Sequence, residues 1–355
     1  MISLLVPLVW LLGSYPPAQP QPVADDPVVA FIRANPERSA VMLVRNDTTL
    51  VSLRADQLFP LASTVKIMVA IEFAWQAAAG KIRADELVLL SDIDRYYLPN
   101  TDGGAQPAWK AELTARQAIQ NGRVTLLDAA KGMIRYSSNA NTEYLSDRLG
   151  FRAVNANRRS LKLPKHEPVL PMVAPLLLYS TTDKAATLAR LRAMKSRDYE
   201  AQSMTLHAQL KADADSSLRK QFIFPDLELQ KAWSDRLTAS TAREYTSIMQ
   251  KLNRRVYFEP AVQALLDQIM EWPFAVNPGN RQVYEHIGMK GGSTAFVLTN
   301  ALYATDKAGN RSELVVFFNN LTPSENALLQ KNLNTFLINC IQTRRYRPTV
   351  QALLR

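Results

Sequence analysis

Sulfur and imidazole are scarce in this chain of 355 residues. The single cysteine, Cys340, cannot close an internal disulfide, and His166, His207 and His286 are too scattered for zinc-ligand spacing. This argues against a metal hydrolase, and no cofactor is expected. Cys340 falls in an apolar helical run near the C-terminus, where a buried structural thiol is the expectation. No G-x-G-x-x-G and no phosphate-binding P-loop occurs, so nucleotide chemistry has no support. No G-x-S-x-G elbow occurs either: Gly291-Gly292-Ser293-Thr294 runs on into Ala295 where that elbow needs glycine. There is no internal repeat. The longest apolar run at the start, Ile2–Leu12, is too short to span a bilayer. With the small and proline-rich residues that follow, residues 1–24 read as a secretory signal that lacks the usual Lys or Arg; an uncleaved apolar arm is the alternative. No cysteine follows to carry a lipid. Export to the periplasm or exterior of a bacterium is the expectation, since an exported chain without disulfides fits that envelope.

Charge is plentiful and unbalanced, with a net +10 at neutral pH. The basic clusters Arg158-Arg159, Arg254-Arg255 and Arg344-Arg345 lack interleaved aromatic platforms, so no nucleic-acid partner is expected. A solvated basic surface that can contact an anionic cell envelope accounts for the excess. The length suits one large domain or two small ones. Ala40–Arg45 and Thr49–Leu53 flank Asn46-Asp47 as a hairpin; Ser63 opens a strongly apolar helical run that ends at Gly80. Leu126–Leu149 reads as two helices joined near Tyr136–Asn139. Strands return at Glu285–Met289, Ala295–Thr305 and Glu313–Asn319, and a closing helix runs over Ser324–Thr343 with Ser324 as N-cap. Strands from both ends of the chain can share one antiparallel sheet. The expected fold class is α+β, with about five antiparallel strands flanked by helices and an adjoining all-helical domain. Residues 25–60 and 255–345 would form the sheet part. Residues 61–254 would form the helical part, with an inserted segment at about 172–239.

Three short patterns carry chemistry: Ser63-Thr64-Val65-Lys66, Ser137-Ser138-Asn139 and Lys290-Gly291-Gly292. Each has decoys, such as Ser217-Leu218-Arg219-Lys220 in a charged stretch, so context decides. Ser63 stands at a helix N-terminus, where free N–H groups favour a developing oxyanion. Lys66 lies one turn on along the same face, partly desolvated, the condition under which an amine can act as a base. The plain alternative is an N-cap serine with a snorkelling lysine. Ser137 and Asn139, at a helix join, can project a proton-relaying hydroxyl and a carbonyl-holding amide; a polar turn is the alternative. Paired glycines after Lys290 let a substrate or another backbone approach at Gly292. Lys290 offers a cation for a carboxylate, and the Ser293 N–H could share an oxyanion hole with the Ser63 N–H. A bulge with a surface lysine is the alternative.

In order and in flanking sequence, from Phe59-Pro60-Leu61-Ala62 before Ser63 to Tyr144-Leu145-Ser146-Asp147-Arg148-Leu149-Gly150 after Asn139, the chain resembles the class A β-lactamases and related penicillin-binding proteins. The resemblance implies nucleophilic Ser63, Lys66 as base or relay, Ser137 as proton shuttle, substrate contacts from Asn139, Lys290, Gly292 and Ser293, an acyl-enzyme and no cofactor. Glu167, followed by Pro168, is the candidate for the deacylation base, with a surface loop carboxylate as the alternative. Three departures stand out: Ser138 replaces an acid, Gly291 replaces a hydroxyl residue, and Pro171 stands where an asparagine belongs. The partner is then a small β-lactam or a cell-wall peptide, and a monomer is expected. β-Lactam hydrolysis, D-Ala-D-Ala peptidase or transpeptidase activity, and esterase or amidase activity all use such a site. A non-catalytic envelope binding protein is the competitor of another class.

Overall fold

The computed structural model describes residues 26–354, so the signal expected over residues 1–24 lies outside the described residues. The chain divides into two compact units, one built on a sheet from residues 26–64, Arg158–Glu167 and 239–354, the other helical, from Val65–Asn157 and Pro168–Thr238.

In the sheet unit, five strands pair antiparallel: β1 (Ser39–Arg45), β2 (Thr48–Leu53), β3 (Tyr284–Ser293), β4 (Leu298–Asp306) and β5 (Arg311–Phe318), in the order β2-β1-β5-β4-β3. The first hairpin turns through Asn46 (φ 47°) and Asp47 (φ 66°), both left-handed, as a two-residue turn between twisted strands requires. Ser39–Val44 are all buried, so β1 is covered on both faces. Helices Pro323–Gln342 and Ala242–Arg254 both pack on the sheet. The second was counted above with the helical part. Its apolar stripe of Tyr245, Ile248, Met249 and Leu252 is buried, a burial of about 1.5–3 kcal/mol for each aliphatic side chain. That stripe decides where the helix belongs.

The closing helix begins one residue earlier than the sequence suggested, with Thr322 as N-cap and Glu325 completing a capping box, rather than Ser324. Cys340 is buried within it. A further helix, Tyr346–Leu353, follows the expected boundary at 345, and the Tyr346 hydroxyl donates to the Asp26 carboxylate at 2.6 Å. Four short strands escaped the sequence reading: Leu58–Pro60 pairs antiparallel with Ala239–Thr241 in this unit, and Leu87–Leu89 pairs with Arg123–Thr125 in the helical one.

In the helical unit, helix Lys66–Ala78 is buried all round as far as Ala74 and ends before Gly80, whose φ of 69° closes it. Leu126–Lys131 continues through a wide π turn, Gly132–Tyr136, into Ser137 and Ser138, and helix Asn139–Leu149 follows. The inserted segment forms a short 3-10 run, Ala174–Tyr179, and helices Lys184–Ala193, Ser196–Ala212, Ser217–Lys220 and Leu227–Ser234. It has a small core of its own: Tyr179, Leu188, Leu191, Tyr199 and Leu229.

Candidate active site

In the sheet unit, Ser63 lies in a single 3-10 turn, Ala62–Val65, which precedes the α-helix beginning at Lys66. Ala62 adopts φ 45°, a conformation that costs a side-chain-bearing residue about 1–2 kcal/mol. Strain of this size next to a serine is the sort that clusters at functional sites. Ser63 itself is 9% exposed. Its neighbour Thr64 shares a 2.7 Å hydroxyl–hydroxyl hydrogen bond with Thr299 on β4, and Thr299 donates to the Leu61 carbonyl at 2.8 Å. Directly across from Thr299 on β3 is Gly292. A Cβ on Gly292 would sit 2.5 Å from the Ser63 amide nitrogen, 2.7 Å from Thr299 Oγ1 and 2.8 Å from the Leu61 oxygen. Only glycine lets β3 bring its main chain against the serine N–H.

The ladder between β3 and β4 is regular from His286 through Ser293, so the Lys290-Gly291-Gly292-Ser293 stretch is strand, not a bulge. Lys290 is not on the surface: it is 3% exposed, and its Nζ donates to the Gly291 carbonyl at 2.5 Å. Burial pulls its pKa down to about 7. The Trp272 indole donates to the Met289 carbonyl at 2.9 Å and pins this strand one residue before the lysine.

In the helical unit, Lys66 is the first residue of its helix and is fully buried. Its Nζ donates to the Ser137 carbonyl at 2.6 Å, to Asn139 Oδ1 at 2.7 Å and to Ser137 Oγ at 3.3 Å. The snorkelling lysine is therefore ruled out. Ser137 holds φ 67°, left-handed, immediately after the π turn. Gly132, which opens that turn, lies so close to the Trp109 indole and the Asn141 amide that a Cβ would collide with both. Asn139 also donates through Nδ2 to the Thr101 carbonyl at 3.1 Å, which fixes its Oδ1 toward the amine. Ser138, where an acid was expected, is fully buried. Its Oγ caps the following helix at the Asn141 N–H, 3.1 Å, and donates to Gln106 Oε1 at 2.5 Å. A hydroxyl thus does the capping here without a charge.

The sequence profile of the β-lactamase enzyme family matches residues 27–273. The chain belongs to this family. No curated protein sequence matches it. Among solved structures it is similar to a β-lactamase from Chitinophaga pinensis, at TM-score 0.54 and 14% identity over 87% of this chain and 96% of that one. It is also similar to a β-lactamase from Sphaerobacter thermophilus, at TM-score 0.52 and 19% identity over 87% and 95%, and to PBP-A, at TM-score 0.51 and 16% identity over 96% and 98%. These likenesses establish the β-lactamase/transpeptidase fold. The profile match stops before β3, so Lys290, Gly292 and Ser293 lie beyond it.

Glu167 belongs to the sheet unit. It is exposed at the end of the Arg158–Glu167 segment of the sheet unit, where its N–H donates to the Ala239 carbonyl at 2.9 Å and its Oε2 accepts the Ala239 N–H at 2.9 Å. This two-way clasp ties Glu167 to the strand that begins at Ala239. Residues that the sequence reading passed over also shape the site. Thr64 and Thr299 position the turn that carries Ser63, and Gln106 holds Ser138. The Asp102 carboxylate accepts the Gly104, Ala105 and Gln106 N–H groups. Burial holds the Asp102 pKa above its ordinary value, against those donors and the charge of Lys66. The one available signal was Asp102 itself, an N-cap type just ahead of Gly103-Gly104 in a stretch read as turns.

Proposed function

We propose that the protein is a serine hydrolase of the β-lactamase and penicillin-binding kind, in which Ser63 Oγ attacks a strained or activated amide carbonyl and forms an acyl-enzyme. The observation that carries this reading is the buried Lys66 amine, held by the Ser137 hydroxyl and carbonyl and by Asn139 Oδ1. Such a lysine, three residues from the nucleophile along the chain, accepts the serine proton when it is neutral. Ser137 Oγ then passes a proton from Lys66 to the departing nitrogen, which completes C–N cleavage with the proton count balanced. The oxyanion is stabilised by the Ser63 N–H, which Gly292 leaves unobstructed, together with the Ser293 N–H. Asn139 holds a substrate amide, and Lys290 attracts the substrate carboxylate. We place the protein outside the cytoplasm, in contact with an anionic envelope.

A second reading, a D-Ala-D-Ala peptidase that keeps penicillins bound as slow acyl-enzymes, is favoured by Glu167. Its carboxylate is exposed and occupied by Ala239, which does not suit a base that must activate water. Mass spectrometry of the intact protein after mixing with a penicillin separates the readings. A transient adduct with accumulating ring-opened drug indicates a β-lactamase; a lasting adduct indicates the peptidase. Ser63→Ala should abolish the adduct without unfolding the protein. Labelling that survives this substitution would overturn both readings.

A further inference from the structure

The inserted segment brings a histidine into the helical unit. Helix Ser196–Ala212 carries His207, which is buried between two carboxylates of helix Asn139–Leu149. Its Nδ1 is 2.7 Å from Glu143 Oε2 and its Nε2 is 3.5 Å from Asp147 Oδ1. The ring is stacked on Tyr96 at 5.0 Å between centroids and met edge-on by Phe151 at 5.2 Å. Glu143 is 1% exposed, and its other oxygen accepts the Val173 N–H at 2.5 Å and the Ala174 N–H at 3.4 Å. One carboxylate therefore ties together the helix that begins with Asn139, the loop at Val173–Ala174 and the inserted helix. Glu143 lies four residues after Asn139, about one turn along the same face.

Resting on the acylation chemistry above, we propose that His207 is a positioning residue: as a cation supplied by the insert, it neutralises buried Glu143 and so fixes both the Asn139 turn and the Val173–Ala174 loop. Nδ1 is hydrogen-bonded to Glu143 while Nε2 stands only at ion-pair distance from Asp147, and a buried ring with a carboxylate on either side favours the imidazolium. A buried carboxylate without a counter-charge would be expelled toward water, and the helix and loop would move with it. The surrounding groups suit the charge. Lys211, on the same inserted helix, reaches the far oxygen of Asp147 at 2.8 Å, and Arg95 donates to the Lys211 carbonyl rather than facing the ring. Tyr96 and Tyr144 both have pKa values raised by burial and stay neutral. Burial opposes charge on His207, but the neighbouring carboxylates of Asp147 and Glu143 outweigh it and push the pKa up to about 9. His207 and Lys211 beside it in turn hold the Asp147 carboxyl below its usual range. Because the folded pKa is raised, the clamp is fully held below about pH 6.5 and is lost as pH rises through about 9.

The test is amide hydrogen exchange on the full chain with His207→Ala, read beside the rate of Ser63 acylation by a penicillin. Exchange at Val173, Ala174 and across residues 196–212 should quicken at least ~10-fold, with the sheet unit unchanged. Raising the pH of the wild type through about 9 should quicken the same amides, while His207→Ala shows no such pH step. Acylation should slow roughly 10-fold and lose its alkaline limb near that pH. Unaltered exchange overturns the clamp. Faster exchange with unaltered acylation overturns the positioning role and leaves a fastening one. If no penicillin acylates the wild type, the acylation reading fails, and exchange alone decides the clamp. Should His207→Ala not fold, Asp147→Asn, which removes only the outer carboxylate, should give the same pattern at smaller amplitude, and its absence would count against the clamp.

Discussion

The two units hold their candidate groups in different ways. In the helical unit the work falls to side chains. Lys66 is hydrogen-bonded to Ser137 and Asn139, and Ser138 to Gln106, all buried or half-buried polar groups. In the sheet unit it falls to the main chain: Gly292 matters for what it lacks, and the serine N–H is exposed to the strand because nothing projects from that position. A side-chain network fails by deletion and a main-chain surface fails by addition. The units should therefore differ in which substitutions they tolerate.

The sharpest way to break the contrast is Lys66→Met, which deletes the hub of the network. Acylation of Ser63 should fall ~1,000-fold or more, as measured by single-turnover labelling. A smaller loss would shift the proton-accepting role elsewhere. Gly292→Ala is the complementary test, because it adds one carbon against the Ser63 nitrogen. Labelling should slow roughly 100-fold, with little change in the melting temperature of the helical unit. If alanine is accepted without loss, the close approach is not used. Lys290→Met comes next. Wild-type Lys290 is charged below about pH 7 and neutral above it, so KM for a carboxylate-bearing substrate should rise as pH rises through 7. The variant should raise KM about 10-fold at low pH and lose that pH dependence. In the unfolded chain this lysine keeps its proton to about pH 10.5, so wild-type stability should climb between about pH 7 and 10.5, and methionine should remove that slope. The smallest effect is expected from Glu167→Gln: deacylation within about 2-fold of wild type and stability within ~0.5 kcal/mol. A deacylation defect of several orders would make Glu167 the missing base.

Much of the fold was legible because its signals are local. The turn residues Asn46-Asp47 announce a hairpin, Gly80 ends a helix, and three β-rich runs near the end supply the remaining strands. The motif serines and lysines were visible as spacing. What could not be read was burial and direction. Lys290 looked equally at home on a surface bulge, and only pairing with β4 on one side and Trp272 at the preceding carbonyl shows it to be interior. Glu167-Pro168 matched a familiar dipeptide, but its partner Ala239 is distant in sequence and no local pattern reveals it. The helix Ala242–Arg254 was recognisable as a helix, while the surface it covers was not. Glu143 and His207 are ordinary polar residues in the sequence and gain their meaning only from each other.

The order of the sheet has a consequence for how the chain is made. β1 pairs with β2 on one side and with β5 on the other, from Ser39 against Phe318 to Arg45 against Ser312. During synthesis at roughly 5–20 residues per second, the first hairpin waits on the order of tens of seconds for that second neighbour. Through that interval an apolar strand with one unpaired edge is open to any other extended chain. The nascent protein is thus most prone to mispairing at β1, and a chaperone that shields residues 39–53 would govern its yield more than any residue of the site.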